Sequence, residues 1–378
     1  MRRQALIIAA LAAVFVLAST HHGSGTSAVE RGRYGAILQA LVQKQDAATL
    51  HGDVRALHGL YLPDGAQTES MFAKARDRLL YMADWARARS IRFERVVVRI
   101  RVDALSVRRP GRIALTAADS ARYEYRHEVG DRVPVWFGLG VYHHYVIEER
   151  DRHWYIAADH FIDPLNQDTR LGGAAHPAIV RVGNGHRLRG PLNAGTASAL
   201  RYAQEYCGAA PGCGNDNRYN QKYGNYVWSG GDCTNFISQV LHAGGFRETP
   251  VWHWDAASDE GSADWVNAPH LVDFLEETHR VSLIARGSMA ELLAPAKDGV
   301  TPLSELRPGD IIAYWERGRV VHMAVVVGYD PDGYPLVVSH SADRFREPWD
   351  LGWDRTTHYL FLRVHYPDKQ PNAYTIRV

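Results

Sequence analysis

Gly230-Gly231-Asp232-Cys233-Thr234-Asn235-Phe236-Ile237-Ser238-Gln239 runs from a glycine pair into an amphipathic segment. Phe236, Ile237, Val240 and Leu241 recur at helical spacing and mark one buried face. Asp232 stands where an N-cap belongs. Cys233 then falls in the first helical turn, among unpaired N–H groups at the positive end of the helix dipole. Such a position draws a thiol toward thiolate. The plainer reading is an inert cysteine packing the helix.

Downstream, Pro308-Gly309-Asp310 turns into the apolar strand Ile311-Ile312-Ala313-Tyr314-Trp315. His322 opens a second strand, His322-Met323-Ala324-Val325-Val326-Val327, which ends at the turn residues Asp330-Pro331-Asp332-Gly333. A third follows, Leu336-Val337-Val338-Ser339-His340. A helix-start thiol and a strand histidine are the two parts of a nucleophilic pair that persists as thiolate and imidazolium. His322 is expected to face the Cys233 helix, with Ala324 and Val326 on the same side. A third polar group should orient the imidazole. His340 is the first candidate, and Asp343, Ser341 and Ser339 are the alternatives.

The run 231–239, continued by Leu241-His242-Ala243-Gly244-Gly245, resembles the signature of the bacterial amidase domain of the amidase 6 family, a relative of the NlpC/P60 and CHAP papain-like cysteine peptidases. The resemblance extends from about Asn193 to Tyr366. It takes in Tyr202-Ala203, Tyr219-Asn220, Trp265, Phe274-Leu275, Pro308-Gly309-Asp310 and Val321-His322-Met323-Ala324-Val325-Val326. It implies a papain-like α+β domain in which Cys233 is the nucleophile, His322 the base and His340 the orienting residue. Tyr226 falls where NlpC/P60 relatives carry a tyrosine near the site. It is read as an oxyanion or cleft residue on equal terms with simple packing, and Asp232 as a positioner of the turn.

Other chemistries lack their residues. No His-Glu-x-x-His, Gly-x-Ser-x-Gly or Walker sequence occurs. His143 and His144 would point to opposite faces of a strand, and no metal or other cofactor is expected. A formal net charge of +1 gives no nucleic-acid footprint.

Arg2 and Arg3 precede the apolar run 5–18 and a segment of small and polar residues, the pattern of an export signal. The run is short for a span of about 20 residues, so no stable membrane span is expected after cleavage and the protein is placed outside the cell or in its envelope. Of three cysteines, Cys207 and Cys213 flank a Gly/Pro-rich turn that could close a disulfide. Such a loop contributes roughly 2 kcal/mol and leaves Cys233 as the odd thiol.

The 378 residues suffice for two domains. The expected division is a signal peptide at 1–28, an α+β unit at 30–168, a Gly/Ala/Pro-rich linker at 169–194 and the amidase-like domain at 195–378. In the first unit Tyr34, Ile37, Leu38, Leu41 and Val42 form one helical stripe, and Phe72, Ala75, Leu79, Met82 and Ala86 another. Alternating Val96, Val98, Ile100 and Val102 begin a run of strands. Helices followed by antiparallel strands resemble a cystatin/NTF2-like cone in element order. The functional expectation is an exported cysteine amidohydrolase acting on a peptide or amide substrate, peptidoglycan included. The alternatives are a non-catalytic wall-binding or adhesion module and an acyltransferase.

Overall fold

The computed structural model describes residues 27–63, 65–128, 133–162, 164–165, 192–295 and 300–368. Residues 1–26 of the expected leader and 169–191 of the expected linker lie outside them. Ser27 opens α1 (Ala28–His51) with a capping box, its hydroxyl accepting from the Glu30 N–H while the Glu30 carboxylate accepts from the Ser27 N–H. Leu38, Leu41 and Val42 bury the inner stripe of α1. A short α2 (Val54–His58) leads to α3 (Ala66–Ala88), whose Ala75, Leu79, Met82 and Ala86 enter the same core. The helices cover an antiparallel meander of β1 (Ile91–Arg109), β2 (Arg112–His127), β3 (Val135–Arg150) and β4 (His153–His160).

In the C-terminal half, α4 (Ala194–Glu205) and α5 (Cys233–Ala243) precede a ribbon of β5 (Trp254–Asp255) and β6 (Glu260–Gly261). Then come α6 (Ala263–Val266), α7 (Ala268–Glu277), β7 (Val281–Ser288), α8 (Met289–Leu293) and α9 (Pro302–Glu305). The predicted apolar runs form β8 (Ile311–Glu316), β9 (Arg319–Tyr329) and β10 (Pro335–Ser339), followed by β11 (Asp343–Pro348) and β12 (His358–Val364). They order as β11-β10-β9-β8-β12-β7, every pair antiparallel. Each face of this sheet buries its own core. Phe236, Ile237, Val240 and Leu241 of α5 pack with Met323, Val325 and Val338 on one side. Ile312, Tyr314, Ala324 and Val326 turn the other way, toward Trp349 and Phe361.

The two halves share one sheet. β11 pairs with β3 through Asp343–Gly140, Arg344–Leu139 and Phe345–Gly138, which makes a ten-stranded sheet. One edge of β3 is thus divided, 138–140 bonding to β11 and 144–150 to β4. Glycine is required at this seam because a Cβ on Gly138 would lie 2.1 Å from the Pro211 carbonyl oxygen. Ala342 and Leu351 of the C-terminal half are buried in the core of the N-terminal half. The chain is a mixed fold of helices and mainly antiparallel strands. Among the described residues no helix is long and apolar enough to cross a membrane.

Candidate active site

Cys233 is the first residue of α5 and is 8% exposed. Its Sγ lies 3.7 Å from the Thr234 hydroxyl, and the backbone N–H groups of Thr234 and Met323 reach it. The expected thiolate is not what this setting favours. Burial pushes the thiol up, the Thr234 hydroxyl and the two N–H groups oppose it, and the Asp232 charge adds to the rise. Desolvation therefore outweighs the helix start.

Asp232 occupies the N-cap position, as the sequence reading expects, but its side chain does not cap the helix. The Asp232 carboxylate instead accepts from the Tyr226 N–H (2.9 Å), the Asn235 amide (2.9 Å) and His340 Nδ1 (2.6 Å). Its own N–H donates to the Ser341 hydroxyl at 2.6 Å. Asp232 holds the glycine turn closed from behind, and the first N–H groups of the helix are left uncapped toward the cysteine.

His322 does not face α5 as expected. Tyr314 pairs with His322 and Trp315 with Val320, so Val321 is an extra residue in β9. His322 thereby shares the face of Tyr314, Ala324 and Val326, while α5 packs on the alternate residues Met323 and Val325. The imidazole sits 5.4 Å from the rings of Tyr314 and Trp353. Its Nε2 lies 3.2 Å from Ser339 Oγ, whose hydroxyl is directed to the Ala342 carbonyl at 3.5 Å. Ser339 thus accepts from Nε2–H, a tautomer assigned from this network. Among the described residues Nδ1 has no hydrogen-bond partner. Burial, reinforced by the Arg344 charge, holds the imidazole well below its ordinary value. At neutral pH it is an uncharged base.

The structure does not bring His340 to His322. His340 lies on the opposite face, between the rings of Tyr219 and Phe236 at 4.0 Å each. Its Nδ1 donates to Asp232 and its Nε2 donates to the Tyr206 carbonyl at 2.7 Å. Burial opposes the charged ring, but the Asp232 hydrogen bond and charge prevail and raise it. Adjacent strand residues point to opposite faces, so Ser339 rather than His340 meets His322. Asp343 accepts from the Ala209 N–H and the Tyr219 hydroxyl, with burial lifting its carboxyl to about 6.

The Tyr226 hydroxyl accepts from the Gly261 N–H at 3.0 Å, and its ring packs against the α5 core. Cys207 and Cys213 are disulfide-bonded with Cα atoms 5.4 Å apart, and Cys233 is free. His143 bonds Asp159 inside the N-terminal core, whereas His144, on the other face, stacks on Trp228 at 4.4 Å. Sequence reasoning missed Arg344, whose charge reaches His322 from a different strand, and Trp353, whose ring lies near it from a distant turn; neither leaves a local pattern.

A thiol that meets the Met323 N–H and, one residue earlier in β9, a neutral imidazole held by Ser339 are groups of the kinds used in proton transfer and acyl chemistry. Residues 193–362 match the Amidase_6 family model, described as "Putative amidase domain", which suggests amidase-type hydrolysis. The uncharacterized protein YhbB of Bacillus subtilis (strain 168) is 31% identical over 174 residues, covering 44% of this chain and 49% of YhbB. The chain therefore spans about half the length of that relative. Among solved structures, the intermembrane-space region of the chloroplast protein ARC6 is similar at 14% identity (TM-score 0.25), over 34% of this chain and 95% of that one. An NTF-2-like protein of unknown function from Shewanella oneidensis MR-1 is similar at 12% identity (TM-score 0.19), over 34% of this chain and 98% of that one.

Proposed function

We propose that the protein is a cysteine-dependent amidohydrolase. One observation carries the reading. A free thiol at an uncapped helix start meets the Met323 N–H, and the residue that precedes Met323 in β9 is His322, held by Ser339 at Nε2 and open at Nδ1. Burial keeps Cys233 a thiol and His322 an imidazole at rest, so activation is by general base when substrate arrives rather than by a standing ion pair.

His322 Nδ1 takes the thiol proton and Sγ attacks the amide carbonyl carbon. The uncapped N–H groups of the α5 first turn receive the oxyanion. Collapse breaks the C–N bond, the imidazolium protonates the departing amine, and a thioester remains. Water, giving its proton to the same imidazole, hydrolyses the thioester to a carboxylate and the free thiol. The resemblance to NlpC/P60 and CHAP domains and the N-terminal export pattern support a papain-like fold and a cell-wall peptide substrate outside the cytoplasm.

The test is Cys233→Ala in the secreted protein against purified peptidoglycan fragments. Turnover should vanish while the circular-dichroism spectrum is unchanged, and retained turnover would sink the mechanism. The burial of Cys233 also favours a second reading, a binding module on an inactive fold. Fragments bound equally by both proteins and cleaved by neither would establish that alternative.

A further inference from the structure

The turn between β11 and β12, residues 349–354, is buried although it is irregular: Trp349, Asp350 and Leu351 are at most 1% exposed. Trp349 packs on Tyr359 and Phe361 of its own half, whereas residues 350–353 are also held by the N-terminal half. The Tyr81 hydroxyl, on α3, donates to the Trp353 carbonyl at 2.7 Å and accepts from the Gly352 N–H at 2.9 Å. Trp85 Nε1 donates to the Asp350 carboxylate at 3.2 Å, and Arg89, just past the helix, forms a buried ion pair with the same carboxylate. Gly352 is left-handed (φ 89), and a Cβ there would lie 2.3 Å from the Pro164 carbonyl oxygen. The turn is therefore pressed between the first half of the chain and the site.

Its other side is Trp353. This ring stacks on Tyr314 at 4.1 Å and lies 5.4 Å from the His322 imidazole. Arg344 donates to the Leu351 carbonyl at 2.7 Å, and its guanidinium is 5.9 Å from the Trp353 ring. The geometry points to Tyr81, Trp85 and Arg89 as positioning residues for His322, acting through the 349–354 turn. This rests on the reading of His322 as the base. The N-terminal half holds the tryptophan lid over the imidazole and keeps water off it.

The groups around the imidazole are Tyr314 from β8, Ser339 from β10, Arg344 with its partner Glu347 from β11, and Trp353 from the turn, with the Cys233 thiol of α5 one residue away at the Met323 N–H. Of these, Arg344 carries the charge that reaches it and Trp353 supplies dry surface. Loosening the turn admits water, which favours the protonated ring.

The experiment is a histidine NMR titration of the full chain, with His322 assigned by the resonance lost in His322→Asn. Tyr81→Phe deletes one hydroxyl and should raise the His322 titration by roughly one pH unit. Trp353→Leu should raise it similarly. Should Tyr81→Phe fail to fold, Trp85→Phe, which removes an indole N–H from Asp350, carries the same expectation. The inference is overturned if His322 titrates as in the parent in a folded Tyr81→Phe protein, if only Trp353→Leu moves it, or if neither α3 variant folds. The readout needs no substrate, so a protein without amide turnover would defeat the proposed function and leave this result standing.

Discussion

Two neighbouring residues of one strand, Ser339 and His340, separate chemistry from support. Ser339 holds the Nε2–H of His322, and His340 forms a fully buried pair with Asp232. Ser339→Ala should lower kcat about 10- to 100-fold with little change in melting temperature, since it removes one orienting bond. His340→Gln should act on stability instead, because a lost partner leaves a buried carboxylate alone at a cost of about 3–5 kcal/mol. The sign with pH follows from the raised His340 value. The contribution is complete below the unfolded value of about 6.5 and is lost as pH rises through the folded one. The parent's advantage over His340→Gln should therefore shrink on raising pH, as thermal melts at several pH values would show. An advantage that grew with pH would refute the pairing. The helix start at Cys233 was legible from the glycine turn and the apolar stripe after it, and His322 from the apolar run it precedes, although β9 begins earlier than expected, at Arg319. The choice among Ser339, His340, Ser341 and Asp343 was not, because it depends on which face of β10 meets a bulged β9.

Strands β8, β9 and β10 were legible as apolar runs bounded by Pro-Gly and Asp-Pro-Asp-Gly, and α1 and α3 as apolar stripes of helical period. The β3–β11 seam was not, since the glycines that permit it look like ordinary strand positions. A Cβ on Gly140 would lie 2.5 Å from the Ala209 carbonyl carbon and the Ala210 nitrogen. That backbone is held by the Cys207–Cys213 disulfide and by the Ala209 N–H on Asp343, so it has little freedom to retreat. Gly140→Ala should cost about 1–3 kcal/mol, read as a lowered denaturation midpoint with the slope unchanged. A silent substitution would show that the loop yields.

At the scale of the molecule, a sequence reading in two units meets a single sheet. The halves are joined by β3 and β11, by the Arg89–Asp350 pair, and by His127, which lies 2.8 Å from both Asp330 and Asp332. Leu351 is fully buried in the opposite half's core. Unfolding one half would expose that core and break the Arg89–Asp350 pair and the His127 contacts, so calorimetry should show one cooperative transition. Two well-separated transitions would contradict the coupling.

The divided edge of β3 also bears on the order of events during synthesis. Residues 144–150 find β4 within a hairpin, but 138–140 must wait for a strand roughly 200 residues later, a contact of high sequence separation and slow closure. Until then the ribosome carries a chain with an open stretch of unpaired backbone, the kind that invites another molecule to add a strand. The stretch is three residues long and two of them are glycines, which makes it a poor template for a stranger and a specific one for its own late-arriving partner.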